Sequence, residues 1–150
     1  MTKMAILQVS NKTKFIKMKN AQLILSKSDH ELLNNHLKLS TVLSEFNRKK
    51  LSVELKTARV ISVEDLPDDV VSENSYVEIQ DIESGRTFDF HLVNPKDANI
   101  KTNRLSLLAP IGVALLGYRP GVEVDWEMPN GLRVFRIMHV ERRAAKHLVS

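Results

Sequence analysis

Two groups of charged side chains have the types and spacing to do something specific. Arg48, Lys49 and Lys50, followed by Lys56 and Arg59, form a cationic cluster that can meet the phosphates of a nucleic acid as point charges. The same cluster also reads as ordinary solvated helix faces, and no aromatic residue is interleaved to stack bases, so sequence-specific recognition is not expected. Glu123, Asp125 and Glu127 alternate along one strand face, as an acidic docking stripe or a solvated surface. Other chemistry is missing. With no cysteine in 150 residues, thiol nucleophiles, disulfides and thiolate metal sites are excluded. The glycines at 85, 112, 117, 121 and 131 do not form a phosphate-cradling loop with a following Lys-Ser or Lys-Thr, so nucleotide hydrolysis is unsupported. His30 and His36 fall on different faces of a helix, and His91 and His139 lie in strand patterns without neighbouring ligands. Serine elbows and paired catalytic carboxylates are absent. No catalytic residue, metal, cofactor or small-molecule substrate is therefore expected.

The elements that must position these groups are best defined between Leu105 and Gly121. Leu105 to Ala109 has strand length, and Pro110 supplies a fixed φ suited to the first turn of a helix. Ile111, Val113, Ala114, Leu115 and Leu116 are apolar nearly all round, so this short helix must be covered by a sheet. Gly117 stops it, and Arg119-Pro-Gly121 turns the chain into a strand with Val122, Val124 and Trp126 on one face. Upstream, Tyr76 to Ile82 and Arg86 to Val93 alternate as half-buried strands joined by a turn at Glu83-Ser-Gly85, with Phe88, Phe90 and Leu92 sharing a face. Asn94 to Asn103 reads as a polar loop. A turn at Pro129-Asn-Gly131 precedes a last strand from Leu132 to Val140.

The N-terminal half has helical spacing. Ser26 and Ser28 are both candidate caps, and Ser28-Asp-His-Glu31 fits a capping box. Leu32, Leu33, Leu37 and Val42 fall near one face of a first helix. Leu51, Leu55 and Ala58, with Phe46 and Val53 beside them, mark a second. Two such helices pack antiparallel as a hairpin only about 20 Å long. The expected organisation is a mobile basic tail over 1–20, a short helical hairpin over 21–62, a linker over 63–74, a sheet domain over 75–143 and a C-terminal tail over 144–150. The class is α+β: a helical hairpin beside an antiparallel sheet with one short helix.

Charge divides along the same line. Residues 1–62 carry 12 Lys and Arg against 4 Asp and Glu, whereas residues 63–150 carry 10 against 14. The basic end suits an anionic partner and the acidic end a basic protein surface. No apolar run approaches the roughly 20 residues of a membrane span, and no secretory signal is evident, so no membrane partner and a cytoplasmic location are expected.

The run Ala109-Pro-Ile-Gly-x-Ala-Leu-Leu-Gly117, then Pro-Gly121 and an acidic strand, resembles the C-terminal domain of bacterial Gre transcription factors. With Leu66-Pro-Asp-Asp-Val-Val71 and Asn74-Ser75, it looks most like their relative, the regulator of nucleoside diphosphate kinase (Rnk). The resemblance implies an FKBP-like sheet domain. It also implies a non-enzymatic protein that holds RNA polymerase at its secondary channel, with the hairpin protruding inward and non-specific contact to nucleic acid. The positions matching the family's polymerase contact are Ser106, Leu108, Ala109, Pro110, Ile111 and Gly112, although Leu108 and Ile111 can equally face the core. Gre factors carry acidic residues at the hairpin tip that help hold Mg²⁺ and promote transcript cleavage. Here the only carboxylate between Ser40 and Lys50 is Glu45, beside three cations, so cleavage stimulation is not expected. A prolyl isomerase is the alternative, drawing on Trp126, Phe88, Phe90, Tyr118 and Phe135. Modulation of nucleoside diphosphate kinase is a third reading that no residue here explains.

Overall fold

The computed structural model describes residues 21–143; the expected tails over 1–20 and 144–150 lie outside the described residues. The described residues open with strand β1 (Ile24–Ser26), helix α1 (Lys27–Leu39), helix α2 (Glu45–Thr57) and strand β2 (Arg59–Ile61). β1 and β2 pair in parallel, so the two helices leave from and return to one small ribbon. Leu23 and Leu25 are buried on it, which places Ser26 at the boundary in an extended conformation, where its hydroxyl accepts from the Asp29 amide at 3.1 Å. Ser26 is thus the cap and the Ser28–Glu31 box is not used; the Ser28 hydroxyl lies 3.2 Å from that of Ser26. Ser44 caps α2 in the same way, accepting from the Asn47 amide at 3.1 Å.

The helices run antiparallel. His30 Nε2 meets the Leu55 carbonyl at 3.2 Å near one end, and Arg48 donates to the carbonyls of Leu37 (2.6 Å) and Ser40 (2.7 Å) at the other. Val42 does not join the Leu32, Leu33 and Leu37 face. It sits in the connecting loop and is 87% exposed, because α1 has already ended at Leu39.

The main sheet contains β3 (Ser75–Asp81), β4 (Thr87–Val93), β5 (Arg104–Ser106), β6 (Glu123–Met128) and β7 (Gly131–Arg142), in the order β5-β4-β3-β7-β6. The expectation of an antiparallel sheet holds for β3 with β4, β3 with β7 and β6 with β7, but β5 runs parallel to β4. The residues between β4 and β5 explain this. Asn94 and Asn99 cap two 3₁₀ turns through the Lys96 and Lys101 amides, and these carry the chain back to start beside His91. Helix α3 (Pro110–Leu115) lies against β6, burying Val113, Ala114 and Leu115 among Val124, Trp126 and Ile137. Phe88 departs from the expected face. Burial grows along β4 from its turn end, so Phe90 and Leu92 are core while Phe88 is 39% exposed under the Arg86 guanidinium.

The structure corrects the expectation of a protruding prong. Leu33, Leu51 and Leu55 belong to the same apolar core as the sheet residues, and α2 touches the sheet domain at both ends. Asn47, only 4% exposed, donates from Nδ2 to the Glu127 carbonyl and accepts the Glu127 amide at Oδ1, both at 2.8 Å. β6 is an edge strand, so this amide side chain takes the place of a missing strand neighbour. Residues 63–74, expected as a linker, contribute buried Leu66, Val70 and Val71.

Candidate interaction surface

The segment from Ser106 to Gly112 is fixed by its own sequence. Ser106 closes β5, and its hydroxyl accepts from the Leu108 amide at 3.0 Å while its carbonyl accepts from the Ala109 amide at 3.0 Å. Leu107 is buried and donates its amide to Val93 at 2.8 Å. Pro110 then occupies the first turn of α3, where a missing N–H costs nothing. At Gly112 an added Cβ would stand 2.7 Å from the Leu107 carbonyl oxygen, so the helix sits directly on the preceding backbone. Gly117, at φ +89°, ends α3 with a Cβ position 2.8 Å from Leu25, and its amide and carbonyl join Val71 and Ile24.

Of the six residues singled out in the sequence, Pro110 is exposed, Ser106, Leu108, Ala109 and Ile111 are half-buried, and Gly112 is buried. Leu108 and Ile111 pack on the margin of the core, so each presents only part of its side chain. Opposite them lie the last turn of α1 and the α1–α2 connection: His36, Val42 and Leu43 face Leu108 and Pro110 across a cleft of about 540 Å³ that runs to Trp126 and Met128.

The cationic cluster does not act as one unit. Arg48 holds the end of α1, and Lys50 is bound to Glu54 and, at 3.1 Å, to the Tyr118 hydroxyl. Tyr118 also donates to Glu54, and burial, with the Glu54 charge beside it, holds its hydroxyl well above the usual tyrosine range. Lys49, Lys56 and Arg59 are exposed, and Glu45 is exposed at the start of α2. The Lys50–Glu54 spacing was visible as an i, i+4 pair, but the role of Tyr118, 64 residues from Glu54, had no sequence signal. Asn47 was equally hidden. Within the acidic stripe, Glu123 pairs with Arg136 at 2.7 Å.

A buried carboxylate has no sequence signal either. Asp29 is 4% exposed at the start of α1, and burial, reinforced by the Glu73 charge, pushes its carboxyl up to about 6. Among the described residues no group of three His, Asp or Glu side chains could hold a metal ion. Phe90, Tyr118, Trp126 and Phe135 are core residues, which leaves Phe88 as the one exposed member of the aromatic set considered for an isomerase pocket. No helix among the described residues is long and apolar enough to cross a membrane.

Residues 66–142 match the family model described as the C-terminal part of transcription elongation factor GreA/GreB. Over 82 residues the chain is 39% identical to the regulator of nucleoside diphosphate kinase of Escherichia coli strain K12, covering 55% of this chain and 60% of that protein. Over 92 residues it is 33% identical to transcription elongation factor GreA of Syntrophus aciditrophicus strain SB, covering 61% and 57%. The chain therefore spans about 60% of the length of these relatives. The solved structure of a prokaryotic transcription elongation factor GreA/GreB from Nitrosomonas europaea superposes with a TM-score of 0.59 at 34% identity, over 81% of this chain and 99% of that one.

Proposed function

The chain belongs to the GreA/GreB C-terminal family, and from that membership we propose that it is a non-enzymatic transcription regulator that binds RNA polymerase at the secondary channel through Ser106 to Gly112. The observation that carries the reading is the family match over residues 66–142, which contains the whole of that segment. The geometry supports it, because Pro110 is exposed on a backbone held rigid by Ser106 and by the contact of Gly112 with Leu107. A pre-formed loop binds without an ordering penalty.

Such a protein acts by occupying its site and does not stimulate transcript cleavage. The helices have 13 residues each, α2 is held against β6, and Glu45 is the only carboxylate in the chain between Ser40 and Lys50. One exposed carboxylate is a poor ligand set for a hard cation. The test is binding of the full chain to purified core RNA polymerase. Pro110→Asp is expected to weaken binding about tenfold while the circular dichroism spectrum is preserved. Unaltered binding of that variant removes the interface, and robust cleavage of backtracked transcripts overturns the mode of action.

A further inference from the structure

The face of α2 turned away from the core has no partner among the described residues, and its composition is unusual for a solvated helix. Phe46 is 43% exposed and Val53 57% exposed, seven residues apart and therefore on one stripe. Together with Leu23 and the aliphatic part of Thr57 they floor a groove of about 650 Å³ between α2 and residues 21–23. Its length, from Phe46 to Thr57, is roughly 16 Å at 1.5 Å per residue, or three helical turns. The two borders differ. On one, Lys50 and Glu54 neutralise each other and are closed off by Tyr118. On the other, Lys49 lines the groove, and Lys56, seven residues on along the same stripe of α2, stands outside it beside the neighbouring groove against α1. Both are exposed and neither forms an ion pair among the described residues, with Arg59 beyond them and Glu45 as the opposing charge.

We propose that this groove is a docking site for an amphipathic, acidic helix of a partner protein, whose apolar stripe covers Phe46 and Val53 and whose carboxylates meet Lys49 and Lys56. The charges select among the possible occupants. A second copy paired about a two-fold axis would centre between Phe46 and Val53, bringing Lys49 against its own copy. Residues 1–20 carry five lysines and no carboxylate, so they would add like charge to the rim. A phosphate backbone would satisfy the cations and leave Phe46 and Val53 facing water. An acidic helix alone satisfies both the floor and the rim. This surface is separate from Ser106 to Gly112 and does not rest on polymerase binding.

The test uses the full chain and two fluorescein-labelled 15-residue helical peptides with one shared leucine stripe, flanked in one by glutamates and in the other by lysines. The acidic peptide is expected to bind, and Phe46→Ser combined with Val53→Ser to weaken it about tenfold or more. Lys49→Glu combined with Lys56→Glu is expected to reverse the preference toward the lysine peptide. These four positions are exposed, so circular dichroism should stay native. Absence of binding, equal binding of both peptides, or indifference to the substitutions overturns the proposal. So does a dimer in sedimentation that Phe46→Ser dissociates, tighter peptide binding when Phe15 and Ile16 are changed to serine, or equal competition by a mixed-sequence single-stranded RNA.

Discussion

The five-stranded sheet and the helix pair share one apolar core but are secured by different means. The sheet is a backbone ladder: β3 pairs through its length with β4 and β7, and β6 through its length with β7, so many equivalent hydrogen bonds stand behind each strand. The helix pair meets that sheet through a few individual side chains. Leu33, Leu51 and Leu55 supply apolar contact, Asn47 completes the edge of β6, and Glu54 binds Tyr118. Loss of one ladder bond is shared by its neighbours, whereas loss of one of these side chains removes an entire type of attachment.

The shared core is where the two regions depend on each other most. Leu51 is 1% exposed, and Leu51→Ala is expected to cost about 3 kcal/mol of unfolding free energy. If the two regions unfold as one unit, Trp126 fluorescence and the helical circular dichroism signal lose stability together. A fluorescence transition left unchanged would show the helices to be a separate layer. Asn47→Ala is expected to cost about 2 kcal/mol, because it leaves the Glu127 amide and carbonyl without their partner at a covered edge. Faster hydrogen exchange confined to the Glu127 amide and its neighbours identifies that mechanism.

Asp29 makes the attachment of α1 sensitive to pH. Its carboxyl is raised to about 6 in the folded chain from an ordinary value of 3.8, so the folded state binds more protons between those values. Stability from this group is complete below about pH 4 and is lost as pH rises through 6. Asp29→Asn should therefore stabilise the protein by up to about 3 kcal/mol at pH 7 and change little near pH 4, as measured by urea denaturation at the two pH values. Equal effects at both would place the carboxyl outside the buried junction of α1 with the Glu73 segment.

Much of the sheet was legible because strands repeat every two residues and turns demand particular backbones. Val122, Val124 and Trp126 are all buried as their alternation required, and Gly117 takes the positive φ expected of a helix stop. Phe88 shows the limit of the rule, since periodicity assigns a face but not how far along the strand that face is covered. The parallel placement of β5 was hidden for a related reason: alternation carries no direction, and the capped turns after Asn94 decide it.

For the interaction surface, the sequence alone determined which residues stand at the loop before α3, that no cysteine chemistry is possible, and that the hairpin connection has a single carboxylate. These are properties of composition and short-range order. Long-range packing sets α2 against β6, binds Arg48 and Lys50 within the chain and leaves Lys49 on the border of an uncovered apolar groove. The physical reason is distance along the chain: Asn47 and Glu127, or Glu54 and Tyr118, are separated by 80 and 64 residues, and no local pattern records a contact that the fold alone brings within hydrogen-bonding reach.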